Sequence, residues 1–221
     1  MVTKLKAKLL AITQPLDTSL VTTPEELIYY AAKVSNPSGQ GDMGNIEGFF
    51  NYCMRNKHWS VFEMANAVVE VEAPRDITRQ LIRHRSFNFQ EFSQRYSDAI
   101  EFTDREFRRQ DPTNRQNSID DLPVDTHVST TCKAQVVTDI ANAAYRESLE
   151  AGVAKECARV MLPEGLTMSR LYVNGTLRSW MHYLEVRDDP GVTQQEHVDL
   201  ARLIRAELEP AFPHTLGKKG S

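Results

Sequence analysis

Along the chain, stretches in which apolar residues recur every three or four positions alternate with shorter ones in which apolar and polar residues take turns. The first spacing builds one face of a helix and the second one face of a strand, so the pattern predicts both. Residues 4–13 alternate weakly and predict an edge strand. Thr23-Pro24-Glu25-Glu26 reads as a capping box with Pro at the first helical position, with Leu27, Tyr30, Ala31 and Val34 as the inward stripe up to Asn36-Pro37. The glycines between Ser38 and Asn45 predict a mobile loop, and Ile46, Phe49, Phe50 and Cys53 a second helix leaving through His58-Trp59-Ser60. Val61 to Ala73 is rich in β-formers, with Ala67, Val69 and Val71 opposite Val68, Glu70 and Glu72, which predicts a strand with one wet face.

From Ala73-Pro74 the period returns to helical. Ile77, Leu81 and His84 share a stripe, Arg79 and Arg83 lie one turn apart, and the helix is expected to end near Arg85, with a loop running on to Tyr96. Ile100 to Phe102 predicts a short strand, and the polar stretch Asp104 to Asp121 a long exposed excursion. After Pro123 comes the longest helical pattern, its stripe Cys132, Val136, Ile140, Ala143, Ala144 and Leu149 closed by Gly152. A short helix over Ala154 to Met161 stops at Pro163. Arg170 to Val173 predicts a strand, Asn174-Gly175 a turn, and Leu177 to Val186 a helix burying Trp180, Met181 and Leu184. Gln194 to Glu209 closes the pattern as an amphipathic helix on Val198, Ala201, Ile204 and Leu208.

Composition narrows the class. With 221 residues, 41% hydrophobic and 25% charged, the chain suits one domain over 1–221 with one sizeable core. A net charge of −4 gives no global attraction to nucleic acid or anionic membrane, so any phosphate binding has to be local. No apolar run reaches membrane-span length and Met1 to Lys6 lacks a signal-peptide core, so a cytoplasmic protein is expected. Cys53, Cys132 and Cys157 are widely spaced and form no Cys-x-x-Cys pair, which argues for reduced thiols and against a structural metal.

The concentrated chemistry lies in Arg83-His84-Arg85-Ser86-Phe87-Asn88-Phe89-Gln90-Glu91-Phe92-Ser93, followed by Gln94-Arg95-Tyr96-Ser97. Between Lys57 and Lys133 there are nine Arg and no Lys, and Arg offers the planar fork that grips phosphate or carboxylate bidentately. A charged run of this kind is otherwise a solvated face. A single-stranded nucleic-acid platform, with Arg83, Arg85 and Arg95 interleaved among Phe87, Phe89 and Phe92, is the rival reading, against which the acidic total and Glu91 and Asp98 weigh.

The pattern Arg-His-Arg, seven residues, then Ser, with Gln80 before it and Arg95-Tyr96 after, resembles the signature of the flavin-dependent thymidylate synthases. His58-Trp59-Ser60-Val61-Phe62-Glu63 is similar to that family's upstream His-x-Ser-x-x-Glu segment. Ala158-Arg159 with Leu162-Pro163, and Gly175 to Trp180 with Arg187, are similar to two further blocks, in the same order. Together they cover roughly residues 20 to 210.

The resemblance implies an α/β (α+β) fold with a central, mostly antiparallel sheet flanked by helices, assembled as a homotetramer whose FAD pockets are shared between subunits. It implies methylation of dUMP at carbon 5 with methylenetetrahydrofolate as carbon donor, FAD as hydride carrier and NADPH as reductant. It assigns the nucleotide to Gln80, Leu81, Ile82, Arg83, Glu91, Phe92, Ser93, Gln94, Arg95, Arg159 and Arg187. FAD falls to Ser60, Arg83, His84, Arg85, Glu91, Thr176, Leu177, Arg178 and His182. Arg187 is implied to stabilise the ionised uracil, with Ser93 next to that ring and His58 near the folate or hydride path. His84, flanked by two arginines, is expected to be neutral and to donate to the flavin. The chain departs from the common pattern at Gln90, Gln94, Thr176 and His182, and lacks a His between Asp188 and Thr193.

Overall fold

The computed structural model describes residues 3–217, and in it the alternating segments meet in one antiparallel sheet. Strands β1 (Lys6–Ile12), β2 (Asn66–Pro74), β3 (Asn88–Glu91) and β6 (Met168–Thr176) lie in the order β1-β2-β6-β3, while β4 (Arg109–Gln110) and β5 (Ser118–Ile119) pair separately. Val69 of β2 and Phe89 of β3 both stand opposite Val173, on either side of it. The expected two faces of β2 are present: Ala67, Val69, Val71 and Ala73 are buried, while Glu72 lies on the wet face between Lys6 and Arg170 at 2.9 Å each.

The helices are α1 (Pro24–Ala32), α2 (Ile46–Arg55), α3 (Arg75–Ile82), α4 (Val124–Glu150), α5 (Lys155–Ala158), α6 (Leu177–Arg187) and α7 (Gln195–Leu208). One hydrophobic cluster runs from Ile28 to Leu216 and joins the dry face of the sheet to Ile77 and Leu81 of α3, Trp180, Tyr183 and Leu184 of α6, and Leu200, Ala201, Ile204 and Leu208 of α7. No helix among the described residues is long and apolar enough to cross a membrane.

Several elements differ from expectation. The capping box of α1 is formed, with Thr23 accepting from the Glu26 amide. Its buried face, however, is Ile28 and Tyr29 rather than Leu27, Tyr30, Ala31 and the exposed Val34, because Tyr29 meets Phe49 edge to face at 5.1 Å. Residues Trp59–Met64 form a 3-10 turn, and β2 begins only at Asn66; the turn drops Phe62 into the core against Phe50. Helix α3 stops at Ile82, and the expected loop beyond it contains β3, since Phe87 and Phe89 alternate toward the core.

Asn174-Gly175 continues β6 instead of turning. Gly175 is needed there because the Phe87 ring occupies the place of a Cβ. Of the 100–102 strand only the Phe102 to Thr167 bridge forms. The apolar stripe predicted on α4 faces outward, with Val136 and Ile140 exposed at 55% and 64%, while Ala141 and Tyr145 face the protein. The 104–121 excursion is anchored: Arg105 and Arg108 have only 11% and 10% of their side chains exposed, in contact with Asp76 and Glu196.

Candidate active site

Three elements end at one place: the last turn of α3, the last turn of α6 and the first turn of α7. Arg187, the final residue of α6, donates from Nε to Nε2 of His84 at 2.9 Å. His84 therefore accepts on that nitrogen, and its proton belongs on Nδ1. Burial, with the nearby Arg187 and His182 charges, lowers its pKa to about 4. Its ring meets Tyr183 edge to face at 5.2 Å. Tyr183 Oη is buried without a protein hydrogen-bond partner, and burial pushes its pKa up. Arg187 is itself held below its ordinary value by burial and by Arg83, Tyr183 opposing.

What sets this place apart is Arg187, a partly buried guanidinium held by an imidazole instead of a carboxylate. Arg75, Arg79, Arg95, Arg105, Arg108, Arg109, Arg170, Arg178, Arg202 and Arg205 each have a carboxylate within ion-pair distance. Among the described residues Arg55, Arg83, Arg85, Arg115, Arg146, Arg159 and Arg187 have no such pair, and of these only Arg159 and Arg187 are partly buried. A partly buried guanidinium with no anion beside it is costly, and the cost falls when an anionic ligand arrives. Arg187 keeps its Nη groups for such a ligand, because His84 takes only the Nε proton.

A second group lies past the other end of β3, a strand spanning roughly 10 Å. Glu91 accepts from Ser169 Oγ at 2.8 Å and faces Arg75 at 3.6 Å. The following turn folds on Ser93, whose Oγ accepts from the Arg95 amide, and docks on α5. There Arg95 pairs with Glu156 at 3.3 Å, Arg159 Nε donates to the Glu156 carbonyl, and Lys155 reaches the Tyr96 carbonyl. Arg95 and Arg159 are thus brought together. Among the described residues no hydrogen bond, ion pair or ring contact joins them to His84 or Arg187.

A third region is an open groove of about 890 Å³ lined by Thr176, Arg178 and His182 with Trp59, Glu63 and Met181. Arg178 is tied to Glu63 at 2.8 Å. Thr176 caps α6 by accepting from the Ser179 amide, and Ser60 is exposed on the neighbouring turn.

Leu81 and Leu177 are fully buried, so any contact they make with a ligand runs through the backbone. Ile82 packs against the core, Gln94 is buried, and Phe92 is 36% exposed. His58 is exposed, its ring edge-on to Tyr52 at 5.5 Å. Phe87 is buried and Phe89 packs on the core, which removes two of the three rings of a nucleic-acid stacking platform. No cluster of metal-ligating residues occurs among the described residues.

Sequence reasoning did not reach Tyr183, Gln194, Glu196 or His197. Gln80 donates to Gln194 Oε1 at 2.8 Å, and its Oε1 lies 3.3 Å from Nδ1 of the fully buried His197. The available signal was a titratable residue beside Val198 on the apolar stripe of α7.

Comparison with known proteins places these features in a family. The family model described as thymidylate synthase complementing protein matches residues 18–214. A probable flavin-dependent thymidylate synthase of Paramecium bursaria Chlorella virus 1 is 43% identical over 210 residues, covering 95% of this chain and 96% of its own. The flavin-dependent thymidylate synthase of Synechocystis is 44% identical over 191 residues, covering 86% and 87%. Among solved structures, the UMP/dUMP methylase PolB of Streptomyces cacaoi, bound with 5-Br dUMP, superposes with a TM-score of 0.82 at 26% identity, covering 97% of this chain and 94% of that one. With this much of the chain aligned, and the Arg83-His84-Arg85 block and Arg187 within it, the chain belongs to the flavin-dependent thymidylate synthases.

Proposed function

We propose that the protein methylates dUMP to dTMP, taking the carbon from methylenetetrahydrofolate and the reducing equivalents from NADPH through bound FAD. The observation that carries this reading is Arg187: a partly buried guanidinium without a carboxylate, its Nε held by a neutral imidazole and its remaining donors available to an anion. A planar pyrimidine that has lost its imide proton is such an anion, and a preoriented guanidinium favours the ionised form that makes carbon 5 nucleophilic. Gln80 and Arg83 take the nucleotide from the same side. Ser93, Arg95 and Arg159 supply the donors for its phosphate.

The groove fits a flavin. Its volume is in the range of cofactor pockets, Trp59 and Met181 offer apolar surface to a ring system, and Lys57, Arg178 and Arg205 offer charge to a pyrophosphate. When bound, the flavin supplies the hydride. Thr176 and His182 line the groove and, with Ser60 and Arg85 beside it, are the polar groups assigned to hold the flavin, with His84 Nδ1–H as its donor from the arginine side. His58 is assigned to the folate side.

The separation of the Arg187 group from the Arg95 and Arg159 group by the length of β3 supports a homotetramer, in which a second copy brings its phosphate grip to this chain's Arg187. The outward stripe of α4, with Val128, Val136, Val137 and Ile140, offers the surface for that association.

The test is direct. The purified protein should be yellow, release FAD on denaturation, and oxidise NADPH while converting dUMP and methylenetetrahydrofolate to dTMP and tetrahydrofolate. A colourless protein that releases no tritium from dUMP labelled at carbon 5 refutes the proposal.

A further inference from the structure

The segment 104–121 has no counterpart in the motifs that carry the family resemblance, yet it holds two of the least exposed arginines of the chain. Arg105 grips Asp76 with both Nη groups at 3.0 and 3.1 Å and reaches the Gly165 carbonyl at 3.3 Å. Arg108 Nη2 donates to Glu196 Oε1 at 2.7 Å, and Arg105 lies 3.7 Å from Glu196 Oε2. Glu196 is only 4% exposed. Burial alone would raise its pKa, but Arg105 and the Arg108 hydrogen bond outweigh that and hold it below the ordinary value. It is a carboxylate, and a carboxylate can only accept.

From that fixed end the directions of the next bonds follow. Gln194 sits 3.0 Å from Glu196 Oε2 and must offer its NH₂ there. Its Oε1 then faces Gln80, which must donate from Nε2 at 2.8 Å. The Gln80 Oε1 is left toward His197 Nδ1, which must therefore carry the proton. His197 Nε2, which is buried without a protein partner, is then left as a lone pair. Burial and the nearby Arg187 and His84 charges push His197 down to about 3, so it holds a single proton. The two ends of a glutamine amide have nearly the same shape and only such a network distinguishes them. Were Gln80 reversed, two carbonyl oxygens would face one another across its contact with Gln194.

We infer that Arg105 and Arg108 are positioning residues for the nucleotide pocket: through Glu196 and Gln194 they fix which end of the Gln80 amide faces each neighbour, and with it the remaining N–H and lone pair that Gln80 offers to a ligand. The role of Gln80 toward the nucleotide rests on the function proposed above. The relay itself does not.

The experiment uses the holoenzyme labelled with 15N-histidine, in which the ring-nitrogen shifts report the tautomer of His197, assigned by its loss in His197→Phe. The wild type should show the Nδ1–H form. Glu196→Gln, whose amide can donate as well as accept, should give a mixture of tautomers and raise KM for dUMP about tenfold, with kcat within about twofold and flavin reduction by NADPH unchanged. Arg108→Ala should do the same, and Arg108→Lys, which keeps a cation on Glu196, should restore most of the affinity. An Nε2–H tautomer in the wild type overturns the relay, even where Glu196→Gln fails to fold. A switched tautomer with unchanged KM overturns the positioning role. A wild type that methylates no dUMP removes the functional reading and the nucleotide role of Gln80, while the tautomer still decides the relay.

Discussion

Arg159 and Arg187 are the same side chain in different surroundings, and the difference separates their roles. Arg159 lies on the α5 segment beside Arg95, and in the proposed function it grips a phosphate equally before and during reaction. Arg159→Ala should therefore raise KM for dUMP and leave turnover at saturation largely intact. Arg187, proposed to face charge that develops during activation, should behave otherwise. Its change to Ala should lower kcat about a hundredfold or more, ~3 kcal/mol, while NADPH still reduces the flavin, and Lys should restore only part. Steady-state methylation beside the separate flavin-reduction step checks both; wild-type turnover in saturated Arg187→Ala would end the activation role.

The buried histidines give a pH signature. His84 and His197 fall to about 4 and about 3 in the fold, from 6.5 in the unfolded chain. Their contribution is complete above pH 6.5 and is lost as pH falls toward those values, because the unfolded state then binds the extra protons. Denaturant midpoints measured from pH 7 to pH 4 should decline, and His197→Phe should flatten part of the decline. At this scale the sequence singled out Arg83, Arg159 and Arg187 through their place in motifs. It could not expose Tyr183 or Glu196, since a buried tyrosine and the first-turn glutamate of a surface-looking helix carry no local mark of what they touch.

Elements were legible where a local rule decided them and illegible where a distant partner did. The α1 cap is local chemistry, and Thr23→Ala should destabilise by ~1 kcal/mol in urea unfolding. Strand β3 is distant chemistry: Asn88 to Glu91 is too short and polar to announce itself and becomes a strand only because β6 lies alongside. The α4 stripe is the instructive case. Periodicity finds an apolar face correctly but is silent on whether that face meets its own chain or another. If it meets another, Val136→Asp with Ile140→Asp should shift the mass measured by light scattering to that of a smaller species, at an unchanged helical circular-dichroism signal. A monomeric mass for the wild type would reject the assembly.

For the whole molecule, the antiparallel sheet with flanking helices was readable from alternation and from the ordered motifs together. The division of the expected site into two groups was not, because motif order carries no distance. That division makes a further expectation. Oligomers assembled from equal amounts of Arg187→Ala and Arg95→Ala/Arg159→Ala chains should recover activity at low dUMP, about a quarter of sites drawing both intact halves when subunits mix at random. No recovery would mean that each chain carries a whole site.

The strand order also sets a timetable. Strand β2, finished by residue 74, is flanked by β1 on one side, but its other partner, β6, begins only at residue 168. On a ribosome adding about 5 to 20 residues per second, that edge waits at least several seconds for its neighbour. Helix α6 and helix α7, which cover the dry face, come later still. The nascent chain is therefore committed to a long interval with Val69 and Val71 only partly covered, by the core residues that precede α4, and arrested chains ending near residue 160 should be cut by protease where released full-length chains resist. Synthesis of this protein, more than its finished stability, is where holdase chaperones have most to protect.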